Sequence, residues 1–344
     1  MDRPLVAGLA VSNLPYSRFR LFGNVFSYSL NGEIHGWAVV HNIAIVGGGK
    51  IARDQHVPSI VRARDFKLTA AVTMADEPLP GVPNFRTISE MKASLPGVRA
   101  VVLCTPPSTR KALIIEALES GLDILNEKAP AATLDEAEDF AARAEAAGRI
   151  FYQSWHSREA AAVAPAAAWL AGKVIKSVAV TWKEDVRLWH PGQDWIWSPG
   201  VGVFDTGINA ISVLTKILPR PIFLQDAELR FPKNKTAPIA ADLNYRDSDG
   251  VDVKVEFDFD QKGPQTWDID VETDVGTLKL SWGGSKLSVD GAAINVSNEP
   301  EYDRLYRNFS ALLKSGCSDV DFTPFRHVED AFKIGRCVAI QPFV

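Results

Sequence analysis

Cysteine is scarce in this chain: three residues in 344, Cys104, Cys317 and Cys337, at spacings that match neither a zinc site nor a disulfide framework. The expectation is a reducing compartment, the cytoplasm, with no bound metal and with Cys104 an inert buried thiol. Runs of basic residues interleaved with aromatics are absent and the net charge is -5, so a nucleic-acid partner has no electrostatic support. Apolar runs long enough to span a bilayer are missing too. The alanine-rich stretch 160–172 is too short and contains Pro165, so no membrane partner is expected. The apolar run 5–11 is short and is followed by no convincing cleavage site, so residues 1–41 read as an N-terminal extension of unreadable role rather than an export signal.

What is there begins at residue 42. Asn42-Ile43-Ala44-Ile45-Val46 suits a strand buried on both faces, and Gly47-Gly48-Gly49-Lys50-Ile51-Ala52 interrupts it with a GxGxxA turn before a helix. Gly47 permits the tight turn, and Gly49 lets the backbone approach a pyrophosphate at the helix N-terminus. Glycines at such a junction also serve ordinary packing, so the rest of the chain must decide. Strand-like runs at 66–73, 100–104, 123–126 and 150–153 alternate with helical stretches to residue 62, around 88–94, over 109–119 and from a Thr133/Glu136 capping box to 147. This α/β order predicts a doubly wound parallel Rossmann sheet over 42–155. Its ligands belong at the carboxyl ends of the strands, where Thr105-Pro106-Pro107 and Glu127-Lys128 fall. Runs at 176–182, 222–231, 252–259, 267–273 and 277–282 have hairpin-type separators. With helices over 204–217 and 302–315, they predict an α+β domain with a large, open, mostly antiparallel sheet over 156–325. A last helix over 327–337, within 326–344, is expected to return toward the first domain.

Two short segments carry candidate chemistry. Lys128 follows the strand at 123–126 beside the nicotinamide end of any bound dinucleotide, where a lysine can relay a proton; the bland alternative is a surface lysine before a turn. Asp205 and Asn209 are four residues apart on a predicted helix and so share a face; the alternative is a helix cap and an exposed asparagine. Between them, Glu184, Asp185, His190, Gln193 and Asp194 alternate with Trp182, Trp189, Trp195 and Trp197. Directional polar groups beside an aromatic wall suit the hydroxyls and apolar face of an aldopyranose, although two of the four tryptophans are expected in core or interface positions.

The glycine turn, the Glu127-Lys128 loop, the Asp205–Asn209 helix start and the sheet-rich second half resemble the glucose-fructose oxidoreductase, inositol dehydrogenase and MocA family over residues 42–344. Residues 50–56, Trp155-His156-Ser157-Arg158 and the stretch 182–197 resemble its D-galactose and L-arabinose 1-dehydrogenase branch. The resemblance implies an NAD(P)-dependent sugar 1-dehydrogenase that oxidises galactose-configured aldopyranoses at the anomeric carbon to a lactone. Lys128 and Asp205 would be the catalytic, proton-handling pair, with His156, Glu184, Trp189, His190, Asn209 and Trp267 at the sugar. Two departures stand out: Ala129 where the wider family has the proline of Glu-Lys-Pro, and Asn209 where it usually has histidine. Another polyol or cyclitol substrate, or a non-catalytic regulator that retains dinucleotide binding, would keep the same fold.

Cofactor contacts are expected from Gly47, Gly49, Lys50, Ile51, Thr73, Met74, Thr105, Pro106, Glu127 and Lys128. Selectivity should be set after the second strand, at Thr73-Met74-Ala75-Asp76-Glu77. An acidic residue there suits the ribose of NAD and an arginine the phosphate of NADP; the lack of an arginine beside Thr73 tilts the expectation to NAD. A homo-oligomer, dimeric through the C-terminal sheet, is expected.

Overall fold

The structure, a computed structural model, describes residues 40–73 and 78–344 in full. Within residues 1–40 it describes the backbone of three strands, β1 (Arg18–Leu21), β2 (Asn24–Tyr28) and β3 (Ile34–Gly36), which pair antiparallel. Residues 1–40 and 41–344 are separate compact units. The readings at 5–11 and at Met74, Ala75, Asp76 and Glu77 lie outside the described residues.

The second unit starts with six parallel strands, β4 (His41–Val46), β5 (Phe66–Val72), β6 (Asn84–Phe85), β7 (Ala100–Leu103), β8 (Asp123–Asn126) and β9 (Phe151–Gln153), in the spatial order β6-β5-β4-β7-β8-β9. The winding reverses between β4 and β7, which opens a crevice at their carboxyl ends. Successive side chains point to opposite faces. Ala44, Val46, Val101 and Leu103 share one core with residues of α2 (Ile88–Ser94), α3 (Arg110–Glu119) and α4 (Leu134–Ala146). Ile43, Ile45 and Val102 share the other with α1 (Val57–Arg62) and α8 (Glu301–Ser315).

The position of α8 corrects the expected division of the chain. It comes from the second half, yet Tyr302, Tyr306 and Phe309 bury against the first sheet. An apolar stripe identifies a core-facing helix without saying which sheet it faces. The capping prediction is half met: Thr133 Oγ1 accepts the Glu136 N–H at 3.3 Å, but the Glu136 carboxylate takes the N–H of Ala132 instead of Thr133. The full reciprocal box forms at α2, between Thr87 and Glu90.

Nine strands form the second sheet: β10 (Ile175–Lys183), β11 (Ile222–Pro232), β12 (Ala240–Asp247), β13 (Asp252–Asp258), β14 (Thr266–Thr273), β15 (Gly276–Ser281), β16 (Lys286–Val289), β17 (Ala292–Ile294) and β18 (Arg336–Ile340). Their order is β17-β16-β15-β14-β10-β13-β12-β11-β18. Pairing is antiparallel except at β10/β13 and β11/β18. The alternation Val253, Val255, Phe257 on β13 faces the core, where α7 (Phe204–Ile217) packs. The opposite face carries ion pairs such as Lys183–Glu256 at 2.6 Å. Gly207 lets α7 approach: a Cβ there would stand 2.6 Å from the Phe257 ring. That close approach seats the first turn of α7, with Asp205, above the sheet.

The final helix also differs from its reading. It is α9 (Thr323–Ile334), which starts earlier than residue 327 and stops before 337, where β18 takes over as a parallel edge strand on β11. Edge pairing satisfies backbone groups that an isolated helical end would leave to water. α9 does touch the first sheet's helices, with the Glu329 carboxylate accepting the Leu134 N–H and Arg326 pairing with Glu138 at 2.8 Å.

Candidate active site

A cleft of about 590 Å³ runs along the carboxyl ends of the parallel strands and under the segment that links β10 to α7. Gly49, Lys50 and Ile51 border it at one end, Thr105, Pro106 and Lys128 along its floor, and Trp189, His190 and Asp205 on the far wall. Gly47 adopts a positive φ of 96°, and a Cβ there would lie 2.9 Å from Thr105 Cγ2; Gly49 has open space where a side chain would be. A backbone that crowds the next strand at one glycine and leaves a vacant approach at the other fits a dinucleotide pyrophosphate.

The Glu127-Lys128-Ala129 loop is held from below. Arg110, 2% exposed, donates from Nε to the Thr105 carbonyl at 2.9 Å and from Nη2 to that of Lys128 at 3.3 Å; Nη1 donates to the carbonyls of Glu127 and Ala129. Burial pushes its guanidinium down to about 10, opposed by the charges of Glu127, Cys104 and Asp205. From the other side, Asn126 Nδ2 donates to the carbonyl of Pro130 at 2.9 Å and to Gln153 Oε1 at 2.8 Å. The Lys128–Ala129 peptide is cis. The loop presents Lys128 Nζ to α7, 3.0 Å from Asp205 Oδ1 and 2.8 Å from the Asp205 carbonyl.

Glu127, expected at the cofactor, borders the cleft, and its carboxylate is turned into the interior. Oε1 accepts from His56 Nε2 at 3.1 Å and from the Tyr302 hydroxyl at 3.2 Å, and Oε2 from the Lys128 N–H at 2.9 Å. His56 Nδ1 lies 2.8 Å from the Tyr306 hydroxyl. Burial alone would keep His56 neutral, but Cys104 and Glu127 outweigh it and raise it to about 10. Burial would likewise raise Glu127, but its hydrogen bond and charge interaction with His56 hold it at about 2.

His156 and Glu184, expected at the sugar, are engaged elsewhere. His156 pairs through Nδ1 with Glu301 at 2.9 Å and stacks on Tyr302 with ring centroids 5.2 Å apart, beside the Glu127 cluster. Glu184 is buried: Oε1 takes His190 Nε2 at 2.9 Å and Oε2 takes the Trp267 Nε1–H at 2.9 Å. Both of its oxygens already hold a ring N–H, and the side chain lies outside the cleft lining. It therefore orients its neighbours. Because Nε2 of His190 donates to Glu184, Nδ1 in the neutral ring is an acceptor. That atom is buried and has no hydrogen-bond partner among the described residues.

Trp189, 42% exposed, leans on Trp267 with centroids 4.9 Å apart, and Trp195 borders the cleft beside it. Trp182 is buried against Trp267, and Trp197 packs on Phe343. Trp267 thus stands behind Trp189 as its support. Asn209, one turn beyond Asp205 on α7, is half-buried and outside the cleft lining, its carbonyl accepting the Ser212 hydroxyl at 2.7 Å.

Thr73 is buried at the end of β5, its Oγ1 3.2 Å from where a Cβ on Gly48 would be, and Met74 lies outside the described residues. An arginine does reach this end of the cleft, from the helix after the glycine turn: Arg53 Nε donates to the Gly48 carbonyl at 2.9 Å. Arg53, Arg110, His56, Tyr302 and Tyr306 all escaped the sequence reading. Arg53 and His56 stood in the string 50–56 singled out there.

The profile of an oxidoreductase family with an NAD-binding Rossmann fold, GFO/IDH/MocA, matches residues 41–154. Galactose 1-dehydrogenase of Pseudomonas fluorescens is 45% identical over 301 residues, 88% of this chain and 98% of that protein. The chain belongs to the GFO/IDH/MocA oxidoreductase family. Among solved structures, a D-galactose-1-dehydrogenase from Rhizobium etli superposes with a TM-score of 0.85 at 49% identity, covering 90% of this chain and 99% of the other. A 3-ketoreductase from Actinomadura kijaniata, in complex with NADP and TDP-benzene, shares the fold at a TM-score of 0.76 and 17% identity over 88% of this chain and 99% of its own. The family member described here is a dehydrogenase of sugars, with a nicotinamide dinucleotide as its cofactor. Among the described residues, no helix is long and apolar enough to cross a membrane.

Proposed function

We propose that this enzyme is a D-galactose 1-dehydrogenase, oxidising the anomeric carbon of D-galactose, D-fucose and L-arabinose to the lactone, with NAD as the preferred acceptor. The observation that carries the reading is the pairing of Lys128 Nζ with Asp205 Oδ1 at 3.0 Å across the cleft that begins at the glycine turn. A dinucleotide held at Gly47 and Gly49 would supply the hydride acceptor for C1. Asp205 accepts the C1 hydroxyl proton, and Lys128, fixed on that carboxylate, orients it and passes the proton on. His190 Nδ1, aimed by Glu184, accepts a hydrogen bond from a ring hydroxyl, and Trp189 covers the apolar face. The galactose reading also draws on the relatives from Pseudomonas fluorescens and Rhizobium etli, which carry that activity in their names.

The three sugars share configuration at carbons 2, 3 and 4, and an epimer such as glucose would leave buried polar groups unpaired, a discrimination on the order of 10²-fold or more. Initial rates of reduced-nicotinamide formation with the three sugars and D-glucose, each with NAD and NADP, test the reading. Turnover of the first three well above glucose is the expected result; glucose at parity, or silence with all four while dinucleotide still binds, contradicts it. The sequence after Thr73, acidic at 76 and 77 and without an arginine, favours NAD, and Arg53 gives NADP a secondary footing. The proposed setting is the cytoplasm, and the proposed assembly a dimer through the open face of the nine-stranded sheet.

A further inference from the structure

Arg110 is a cation out of water with no hydrogen-bonded carboxylate among the described residues. A buried guanidinium is ordinarily matched by a carboxylate or phosphate, because its desolvation is costly. Here its donors go to backbone carbonyls, and three of the four are consecutive: Glu127, Lys128 and Ala129. The fourth, Thr105, opens the loop after β7 along the same cleft. One planar fork therefore ties together two loops at the carboxyl ends of β7 and β8. The middle carbonyl of the triplet belongs to the lysine whose Nζ meets Asp205. Position 129, directly after that lysine, carries no proline ring to restrict it.

We propose that Arg110 is the positioning residue for Lys128, its guanidinium setting the course of residues 127–129 where Ala129 leaves the chain without a ring constraint. The inference rests on the proton-handling reading of Lys128 and Asp205. Lysine at 110 would keep the charge but gather its donors on one atom, which cannot span four carbonyls set around a planar fork.

Arg110→Lys tests this in the full-length enzyme. The expected result is a fall in kcat of about 10²-fold, the scale for a misplacement near 1 Å, with sugar KM and the NAD dissociation constant, measured by fluorescence quenching, within about threefold of the parent. Lys128 itself supplies a readout that needs no substrate: its rate of reductive methylation, followed by peptide mass, should rise at least fivefold as its hold on Asp205 loosens. In Arg110→Ala, methylguanidinium should restore at least fivefold of the lost kcat. A variant with parental kcat and parental Lys128 methylation overturns the proposal, as does a kcat loss that merely tracks the unfolded fraction with methylation unchanged. If the parent enzyme turns over none of the sugars, the function fails while the methylation rates still decide the role of Arg110.

Discussion

The glycine turn and the Trp189–His190 wall face the same cleft but are made of different material. On the cofactor side the ligand-facing surface is backbone: Gly47 at φ 96° against Thr105, open space at Gly49, and a loop whose carbonyls are gathered by Arg110. On the sugar side, side chains hold side chains. Glu184, just past β10, fixes His190 six residues on and Trp267 from β14, which in turn backs Trp189. A surface of backbone amides suits the invariant pyrophosphate of a cofactor. A surface of oriented side chains can read one sugar against its epimer, because each missing partner strands a buried group.

Asp205 joins the two sides, and its removal should have the largest effect. Asp205→Ala should lower kcat by about 10³-fold, within the range for a lost general base, while the NAD dissociation constant stays within about threefold. Steady-state rates with parallel binding titrations check this, and unimpaired turnover would remove Asp205 from the mechanism.

The cofactor side has one side-chain cluster beneath its backbone, and pH should expose it. Glu127, lowered from 4.5 to about 2, contributes stability that is complete above pH 4.5 and lost as pH falls toward 2. His56, raised from 6.5 to about 10, contributes stability that is complete below pH 6.5 and lost as pH rises toward 10. The pair is therefore worth most between pH 4.5 and 6.5. His56→Gln should cost about 3 kcal/mol there, the scale for breaking a buried pair, and should flatten the alkaline decline. Urea unfolding at pH 5.5 and pH 9 measures both; a variant with the parent's slope between them would argue against a charged His56.

Smaller and paired are the substitutions that separate the two walls. Gly47→Ala forces a Cβ to 2.9 Å from Thr105 Cγ2 at a positive φ. It should cost about 1–3 kcal/mol in stability and weaken NAD binding. Glu184→Gln, with one acceptor oxygen for the ring N–H groups of His190 and Trp267, should cost about 1.5 kcal/mol in stability, raise sugar KM about tenfold and spare NAD affinity. Crossed effects, with sugar KM moving in the first or NAD affinity in the second, would dissolve the distinction.

The same contrast decides what could be read from the chain alone. The glycine turn was legible because a positive φ beside a crowding strand demands a residue without a side chain, and the parallel strands because each is a continuous apolar run. A strand end and a helix start marked Lys128 and Asp205 as separate candidates, and only the family resemblance paired them. His156 and Glu184 were placed at the sugar by the family resemblance. Their partners, Glu301 and Trp267, lie 145 and 83 residues away, and no local pattern says that a carboxylate is already spoken for. Arg110 looks like any cation at a helix start until four carbonyls converge on it. The packing of α8 on the first sheet was hidden for a related reason: amphipathicity gives a helix a buried face but not an address.

The central claim is that the sugar lies between Asp205 and His190. A crystal structure of Asp205→Asn with NAD and D-galactose tests it most directly. The account predicts the C1 hydroxyl within about 3 Å, hydrogen-bond reach, of the substituted side chain, with a ring hydroxyl donating to His190 Nδ1. A sugar bound with C1 turned away from position 205, or outside the cleft, would contradict it.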